Sequence, residues 1–203
     1  MRIATLTLAL IIGTVTYAAP IEFDLKDPKG VNSVSFVLDS QLEPIMGVAT
    51  GIGGKVTFDP DDPNTLSGTI TVATDSMKFG SERMGNVAMG EDWMNAEAHP
   101  EISFAITSGH AHKHGNAYQF HCSGNFTCKG VTKPVNVTVV VNYLKDKLGS
   151  RMKGKEGDLL AIRSSFTVNR SDFGIKEGMG PEVVAEKIEL RISIIGSAIK
   201  AAE

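Results

Sequence analysis

The sequence predicts an all-β fold in which antiparallel strands form a barrel or a sandwich. Apolar and polar residues alternate with a period of two along most of the chain, as in strands that bury one face. Short segments rich in Gly, Pro, Asp and Asn separate these runs and predict turns. The segments are too short for the crossover helices that a parallel sheet requires, so we expect antiparallel pairing.

Alternating runs predict the strands in their order along the chain. They cover residues 33–38, 55–58, 65–72, 102–106, 118–128, 135–141, 160–168 and 188–194. Predicted turns or loops lie at 59–64, 110–116, 145–158 and 173–181.

One segment, residues 81–98, departs from the period of two. Met84 and Met94 belong to a set of apolar residues at helix-like spacing, but two glycines weaken a helix there. We therefore expect a short or irregular helix, with Ser81 or Asn86 as its N-cap.

Composition indicates an ordinary globular chain. The 203 residues are 42% apolar and 21% charged, which suits one domain over residues 19–203. The formal net charge of -3 argues against nucleic-acid binding, which usually needs a basic face.

Residues 1–18 have the features of a cleavable secretory signal peptide. Arg2 supplies a positive start, an apolar run extends to Val15, and Thr16-Tyr17-Ala18 places small residues before the predicted cleavage point. The apolar run is shorter than the ~20 residues that a membrane span needs. We expect a periplasmic or secreted protein with no stable membrane span.

Two cysteines lie on one predicted strand. Cys122 and Cys128 are six positions apart, so an extended strand would separate them by ~20 Å on the same face. A disulfide would require a tight turn at Gly124. The strand pattern favours two buried, unpaired thiols.

Histidines offer the main candidate for a metal site. His110, His112 and His114 alternate, and His121 follows on the next strand, so a shared zinc or copper ion and a metal-dependent enzyme are one alternative. We favour a polar exposed hairpin turn, and we predict no metal site and no catalytic residues. The segment from Arg170 to Ile175 could lock a barrel corner or meet the polar end of a ligand; we favour the structural role.

Five motifs occur in an order that resembles the YceI family. They are Ser33-Val34-Ser35-Phe36; Gly54-Lys55-Val56-Thr57-Phe58-Asp59-Pro60; Trp93-Met94-Asn95-Ala96 with His99-Pro100-Glu101-Ile102-Ser103-Phe104; Gly130-Val131-Thr132-Lys133-Pro134-Val135; and Arg170-Ser171-Asp172-Phe173-Gly174. The resemblance implies an elongated, eight-stranded, lipocalin-like antiparallel barrel with one short helix. It also implies an exported, non-enzymatic protein that holds an isoprenoid quinone, a polyisoprenoid or a fatty chain.

Strand parity, taken with this resemblance, predicts the residues that line the apolar tunnel. They are Phe36, Phe58, Phe104, Phe120, Phe126 and Phe166, with Trp93 and Met94 near the helix. We expect no cofactor; a quinone or lipid would be a ligand, and a homodimer is compatible with the sequence. The main alternative is a barrel with a solid core that acts as a structural or interaction module.

Overall fold

The computed structural model describes residues 19–115 and 117–200, and it confirms the all-β class. The strands within these ranges are β1 (Ile21–Asp24), β2 (Ser33–Asp39), β3 (Pro44–Ala49), β4 (Ile52–Phe58), β5 (Ser67–Ala73), β6 (Met77–Phe79), β7 (Glu101–His114), β8 (Ala117–Cys128), β9 (Val131–Leu144), β10 (Gly157–Asn169) and β11 (Lys187–Ile199). The helices are α1 (Glu82–Met89) and the single turn α2 (Leu148–Arg151), and 3-10 turns lie at Pro63–Thr65, Thr74–Ser76 and Ser171–Phe173. The predicted signal peptide falls on residues 1–18, outside the described ranges.

The sheet closes into an antiparallel barrel of eight strands. Neighbours follow the order β1-β4-β5-β7-β8-β9-β10-β11, and β1 also pairs with β11. Strands β2, β3 and β6 continue the sheet beyond this ring. Strand β2 pairs with β11, β3 pairs with β2, and β6 pairs with β3. The predicted eight-stranded, lipocalin-like barrel with one short helix is therefore confirmed.

Three strands escape the period-two pattern of the sequence. They are β1, β3 and β6, each with six residues or fewer. A short strand shows too few alternations to be detected, and Gly47 interrupts the apolar pattern of β3.

A buried asparagine joins the start of the barrel to its last strand. The Asn32 side-chain amide donates to the carbonyl oxygens of Leu25 (2.9 Å) and Ile195 (3.0 Å), and its oxygen accepts from the Ile195 N–H (2.8 Å). These bonds satisfy a buried polar side chain and hold the β1–β2 connection against β11.

A β-bulge in β7 reverses the alternation of that strand. The pairing of β7 with β8 shifts between Ile106 and Ser108, so Thr107 is the extra residue. Even-numbered residues of β7 face the interior before the bulge, whereas Gly109 and Ala111 belong to the interior after it. The histidines that follow the bulge therefore face solvent.

Candidate functional site: an apolar cavity

An apolar cavity of about 150 Å³ runs through the barrel interior. A single buried water needs ~10–15 Å³ on this measure, so the space is about ten times larger than one water requires. On β10 the lining alternates from Ile162 to Val168, six residues apart, which corresponds to a length of ~20 Å. The cavity is therefore long and narrow.

Six of the eight predicted tunnel residues line this cavity. They are Phe36, Phe104, Phe126, Phe166, Trp93 and Met94. Phe58 and Phe120 are not among the lining residues; both are fully buried in the packed core at one end of the barrel. Parity places a side chain inside a barrel, but it does not distinguish a cavity wall from a packed core. Contact of any of the eight with a ligand stays a prediction.

An aromatic plug closes the barrel beyond Phe58. We define it as Phe23, Phe58, Tyr118, Phe120 and Tyr143. The ring of Phe58 lies 5.3 Å from Tyr118, 6.4 Å from Phe120 and 5.9 Å from Tyr143, centroid to centroid. These edge-on and tilted contacts fill the space that the cavity would otherwise occupy.

Two glycines make room for rings in the cavity wall. A Cβ atom on Gly124 would lie 2.3 Å from Cζ of Phe104, and one on Gly47 would lie 2.3 Å from Cζ of Phe36. Both phenyl rings therefore lie directly over a neighbouring strand's backbone. This close approach keeps the two rings against the wall.

The opposite end of the barrel is covered by what we call the cap, residues 81–100 and 170–186. Helix α1 begins after Ser81, whose hydroxyl accepts the N–H of Met84 at 3.2 Å, so the predicted N-cap at Ser81 is confirmed. The chain then turns back, because the N–H of Trp93 donates to Gly90 and the N–H of Met94 donates to Ala88. These bonds place both side chains in the cavity wall.

Arg170 organises the second part of the cap. Its side chain is 4% exposed, and its guanidinium donates to the carbonyl oxygens of Val184, Ile175, Lys176 and Met179. One buried side chain thus satisfies four backbone carbonyls of an irregular loop. The favoured structural role is consistent with this geometry, since Arg170 does not line the cavity.

Parity missed two cavity residues in this loop. Phe173 and Ile175 are buried and line the cavity. They follow β10 in an irregular segment, where strand alternation has no meaning. The sequence signal that could have identified them is a large aromatic residue, Phe173, in an otherwise polar, glycine-bearing loop.

The motif at Gly130 forms the tight turn between β8 and β9. Lys129 and Gly130 both have positive φ, at 48° and 74°, as the two central residues of a type I′ turn require. The ring of His99 lies so close that a Cβ on Gly130 would be 2.7 Å from its Cε1. Glycine is therefore required here by both backbone conformation and packing.

Both cysteines line the cavity as free thiols. Cys122 and Cys128 lie on the same face of β8, and both are buried. Burial raises the pKa of the Cys122 thiol to about 11. Burial likewise raises the pKa of Cys128 to about 12, against a small opposing effect of Lys129. The unpaired, same-face prediction is confirmed, and both groups are neutral and weakly nucleophilic at pH ~7.

The cavity wall carries few polar groups. Among the described residues, no charged side chain lines it. Ser103, Ser164 and Trp93 are the lining residues with a side-chain oxygen or nitrogen, and none of these atoms is exposed to the cavity. The hydroxyl of Ser164 already donates to the carbonyl oxygen of Thr138 at 2.7 Å. Such a wall favours an apolar molecule and disfavours a buried charge.

The histidines lie on the outer face of the barrel and not in a turn. His110, His112 and His114 are exposed residues of β7, and the predicted hairpin turn at 110–116 is wrong for most of its length because β7 continues to His114. His112 and His121 are the nearest ring pair, with centroids 5.8 Å apart. Within residues 19–115 and 117–200, no three His, Cys, Asp or Glu side chains come together as a metal site.

The fold and the cavity define a small barrel protein of lipocalin type with an apolar cavity in its interior. The sequence model of the YceI-like domain matches residues 18–195, and the chain belongs to that family. In the part of the chain that the structure describes, no helix combines the length and apolarity needed to cross a bilayer.

Relatives and solved structures agree with this assignment. A UPF0312 protein of Pseudomonas aeruginosa is 29% identical over 144 residues, 70% of this chain and 69% of the relative. Protein YceI of Salmonella newport is 25% identical over 193 residues, 94% of each chain.

Two solved structures share the fold. BcnA of Burkholderia cenocepacia has a TM-score of 0.64 at 23% identity, covering 81% of this chain and 95% of that one. A polyisoprenoid-binding domain from Saccharophagus degradans has a TM-score of 0.62 at 8% identity, covering 89% and 99%.

Proposed function

We propose that this protein is an exported binding protein that holds a long apolar chain inside its barrel, for transport, storage or sequestration. The ligand class is an isoprenoid, including polyisoprenoids and quinones, or a fatty chain. The observation that carries the proposal is the long cavity, whose wall presents almost only hydrocarbon. The polyisoprenoid-binding domain from Saccharophagus degradans, which has the same fold, supports the ligand class.

The binding free energy would come from apolar burial. Each buried methylene is worth ~0.8 kcal/mol, so a chain of about ten methylenes gains ~8 kcal/mol before the costs of immobilisation. The wall offers few directed contacts, so chain length and shape would dominate selection. Export is supported by the signal-peptide features of residues 1–18.

A solid-core structural module is the rival function, and the cavity itself argues against it. Native interiors contain few voids larger than a water molecule, because empty space forfeits packing contacts. A cavity about ten times larger than one water needs is therefore better explained as a binding site for an apolar chain than as imperfect packing.

Extraction of the natively purified protein with organic solvent, followed by mass spectrometry, tests the proposal. We expect one long-chain apolar compound at about one equivalent per chain. A blank extract after mild purification, together with no uptake of added isoprenoid, would favour the solid-core module. Fractionation of the source cells tests export independently, with cytoplasmic retention as the contradicting result.

A matched pair of variants links binding to the cavity. Val139 lines the cavity on β9, whereas the next residue, Val140, is 38% exposed on the other face. Val139→Trp should fill the space and abolish uptake, while Val140→Trp should retain it. Equal uptake by the two folded variants would place the ligand elsewhere.

A further inference from the structure

Positive and negative charges are segregated along the chain. Residues 26–31, 144–156 and 199–200, which we call the basic face, carry eight Lys and Arg residues against three Asp and Glu residues. The formal net charge of this face is +5, although that of the whole chain is -3. The cap carries three basic and eight acidic residues, a formal net charge of -5. The protein therefore has an acidic region and a basic region of similar strength.

An ion pair and a hydrogen bond hold the three segments of the basic face together. Arg151 Nη2 lies 2.8 Å from a carboxylate oxygen of Asp27, which joins the β9–β10 loop to the β1–β2 connection. The N–H of Lys200 donates to the carbonyl oxygen of Glu156 at 3.0 Å, which joins the end of β11 to the same loop. The segments thus form one continuous surface.

The basic face lies next to the aromatic plug. The hydroxyl of Tyr143, a plug residue, donates to the carboxylate of Asp158 at 2.8 Å. The other oxygen of this carboxylate accepts the N–H of Asp146, in the β9–β10 loop, at 2.7 Å. The basic face and the acidic cap therefore lie toward opposite ends of the barrel.

Most of the positive charge on the basic face is unpaired. Within residues 19–115 and 117–200, six exposed lysines of the face form no ion pair: Lys26, Lys29, Lys145, Lys147, Lys153 and Lys155. The same face exposes apolar side chains, since Val31 and Ile199 are each 59% exposed and Leu144 is 38% exposed. Lysines together with exposed apolar side chains suit the headgroup region of an anionic bilayer, where phosphates lie next to hydrocarbon.

The composition of the face favours lipid over nucleic acid. The face contains no aromatic residue, and its one arginine is paired with Asp27. Nucleic-acid sites rely on arginine forks and on rings that stack on bases. The turn at 59–62 beside Tyr118 bears three aspartates, so the contact with lipid would be made through the two loops and not through this turn.

We propose that the basic face docks the protein on an anionic lipid surface, with the cap directed away from the bilayer. Attraction of the face and repulsion of the cap both favour this orientation. The proposal goes beyond ligand binding, because it concerns where the protein acts and not what the cavity holds.

Co-sedimentation with vesicles tests the docking. The probes are vesicles of phosphatidylcholine alone and vesicles that contain about one third phosphatidylglycerol. We expect the protein to bind the anionic vesicles only, and to be released in ~0.5 M salt, which screens surface charges. Absence of binding to anionic vesicles at low salt would overturn the proposal. Binding to duplex DNA without binding to vesicles would overturn it as well, in favour of a nucleic-acid partner.

Two fourfold variants separate the basic face from net charge. The face variant combines Lys145→Gln, Lys147→Gln, Lys153→Gln and Lys155→Gln. The control combines four exposed positions outside the face, Lys78→Gln, Lys133→Gln, Lys187→Gln and Arg191→Gln, and removes the same charge. Each lysine near an anionic surface contributes roughly fivefold, so the face variant should bind about 100-fold more weakly or worse, and the control within about threefold of the wild type. An equal loss in both folded variants would assign the effect to net charge and overturn the proposal.

Quenching by brominated lipids tests the orientation. A fluorophore on Val31→Cys, in the basic face, should be quenched on anionic vesicles. A fluorophore on Val87→Cys, a 48% exposed position of α1 in the cap, should not be quenched. Both native thiols are buried, so labelling should be confined to the introduced cysteine. Equal quenching at the two positions, or stronger quenching at the cap, would contradict the proposed orientation.

Discussion

The ammonium group of Lys129 donates to the carbonyl oxygen of Gly174 at 2.6 Å, although the two residues are 45 positions apart in sequence. This bond joins the tight turn between β8 and β9 to the second part of the cap. Asp92 strengthens the junction, because its carbonyl oxygen accepts from Lys129 Nζ at 3.4 Å and its carboxylate pairs with Lys176 at 3.2 Å. The turn therefore holds both parts of the cap over the same end of the cavity.

Removing the hydrogen bonds that Lys129 donates to the cap should loosen the cap. Lys129→Met keeps an apolar stem but loses the hydrogen bonds to the cap, so a bound ligand should dissociate about five times faster, the factor expected for ~1 kcal/mol. Stopped-flow displacement of a fluorescent fatty chain measures the rate. Lys133→Met, an exposed position on the same hairpin, is the control and should dissociate at the wild-type rate. Equal rates for both variants would contradict the role of Lys129.

Gly124 should not tolerate a methyl group. In Gly124→Ala the new Cβ would clash with Phe104 Cζ and would lie 2.7 Å from the Ala105 carbonyl oxygen, so we expect a loss of ~1–3 kcal/mol in the free energy of unfolding. Gly80→Ala is the control, since a Cβ there has no neighbour within 4 Å. Urea denaturation of both variants measures the difference. A wild-type midpoint for Gly124→Ala would show that Phe104 can move aside.

The carboxylate of Asp27 predicts how stability changes in acid. Its side chain is 4% exposed and lies 2.8 Å from Arg151 Nη2, and it accepts the N–H groups of Lys29, Val31 and Asn32. Burial alone would raise the pKa of Asp27, but these bonds together outweigh it and lower the pKa. The stabilisation is therefore present above pH ~4 and is lost as the pH falls through the lowered pKa.

Denaturation of the wild type and of Asp27→Asn at a series of pH values tests this predicted loss of stability in acid. At pH ~7 the variant should be less stable by ~1–3 kcal/mol, since it weakens a buried charged contact, and the gap should narrow as the pH falls below ~4. Glu22→Gln, which disrupts the exposed pair with Lys55, should behave like the wild type. A gap that stays constant with pH would exclude the Asp27 carboxylate as its source.

The two cavity thiols predict a loss of stability in alkali. Their pKa values are raised to about 11 for Cys122 and about 12 for Cys128, so the folded state keeps protons that the unfolded chain releases above pH ~8.5. Stability should therefore fall as the pH rises, by up to ~1.4 kcal/mol per pH unit for each thiol. A variant with Val at both positions should have a flatter profile between pH ~9 and ~10.5. Parallel profiles would mean that the pKa values of the two thiols are not raised in the folded state.

Much of the barrel could be predicted because its strands are long and bury one face. In β9, Val137, Val139 and Val141 are buried and alternate with exposed residues, as a strand with one face toward a core requires. The tunnel residues on β2, β7, β8 and β10 followed from the same rule. The rule could not separate Phe58 and Phe120 from the lining, because packing of the aromatic plug depends on neighbours from distant strands.

The bulge in β7 shows why the histidines were misplaced. Unbroken alternation after Ile106 would direct His110, His112 and His114 toward the interior. Burial of a polar imidazole in an apolar interior is unfavourable. The extra residue Thr107 turns them outward without ending the strand. A polar segment of this kind can be a turn or an outward-facing strand edge, and only the register with β8 separates the two.

Strand β11 closes the ring of the barrel. It pairs with β10 along its whole length, with β2 over residues 189–193, and with β1 at Ser197. Before β11 has paired, β10 on one side and β1 and β2 on the other each expose an unpaired strand edge. Such edges can pair with other chains. Closing the ring joins segments at opposite ends of the described chain, so folding should be slow and governed by long-range contacts. A nascent barrel would thus be most vulnerable to aggregation just before its last strand is added.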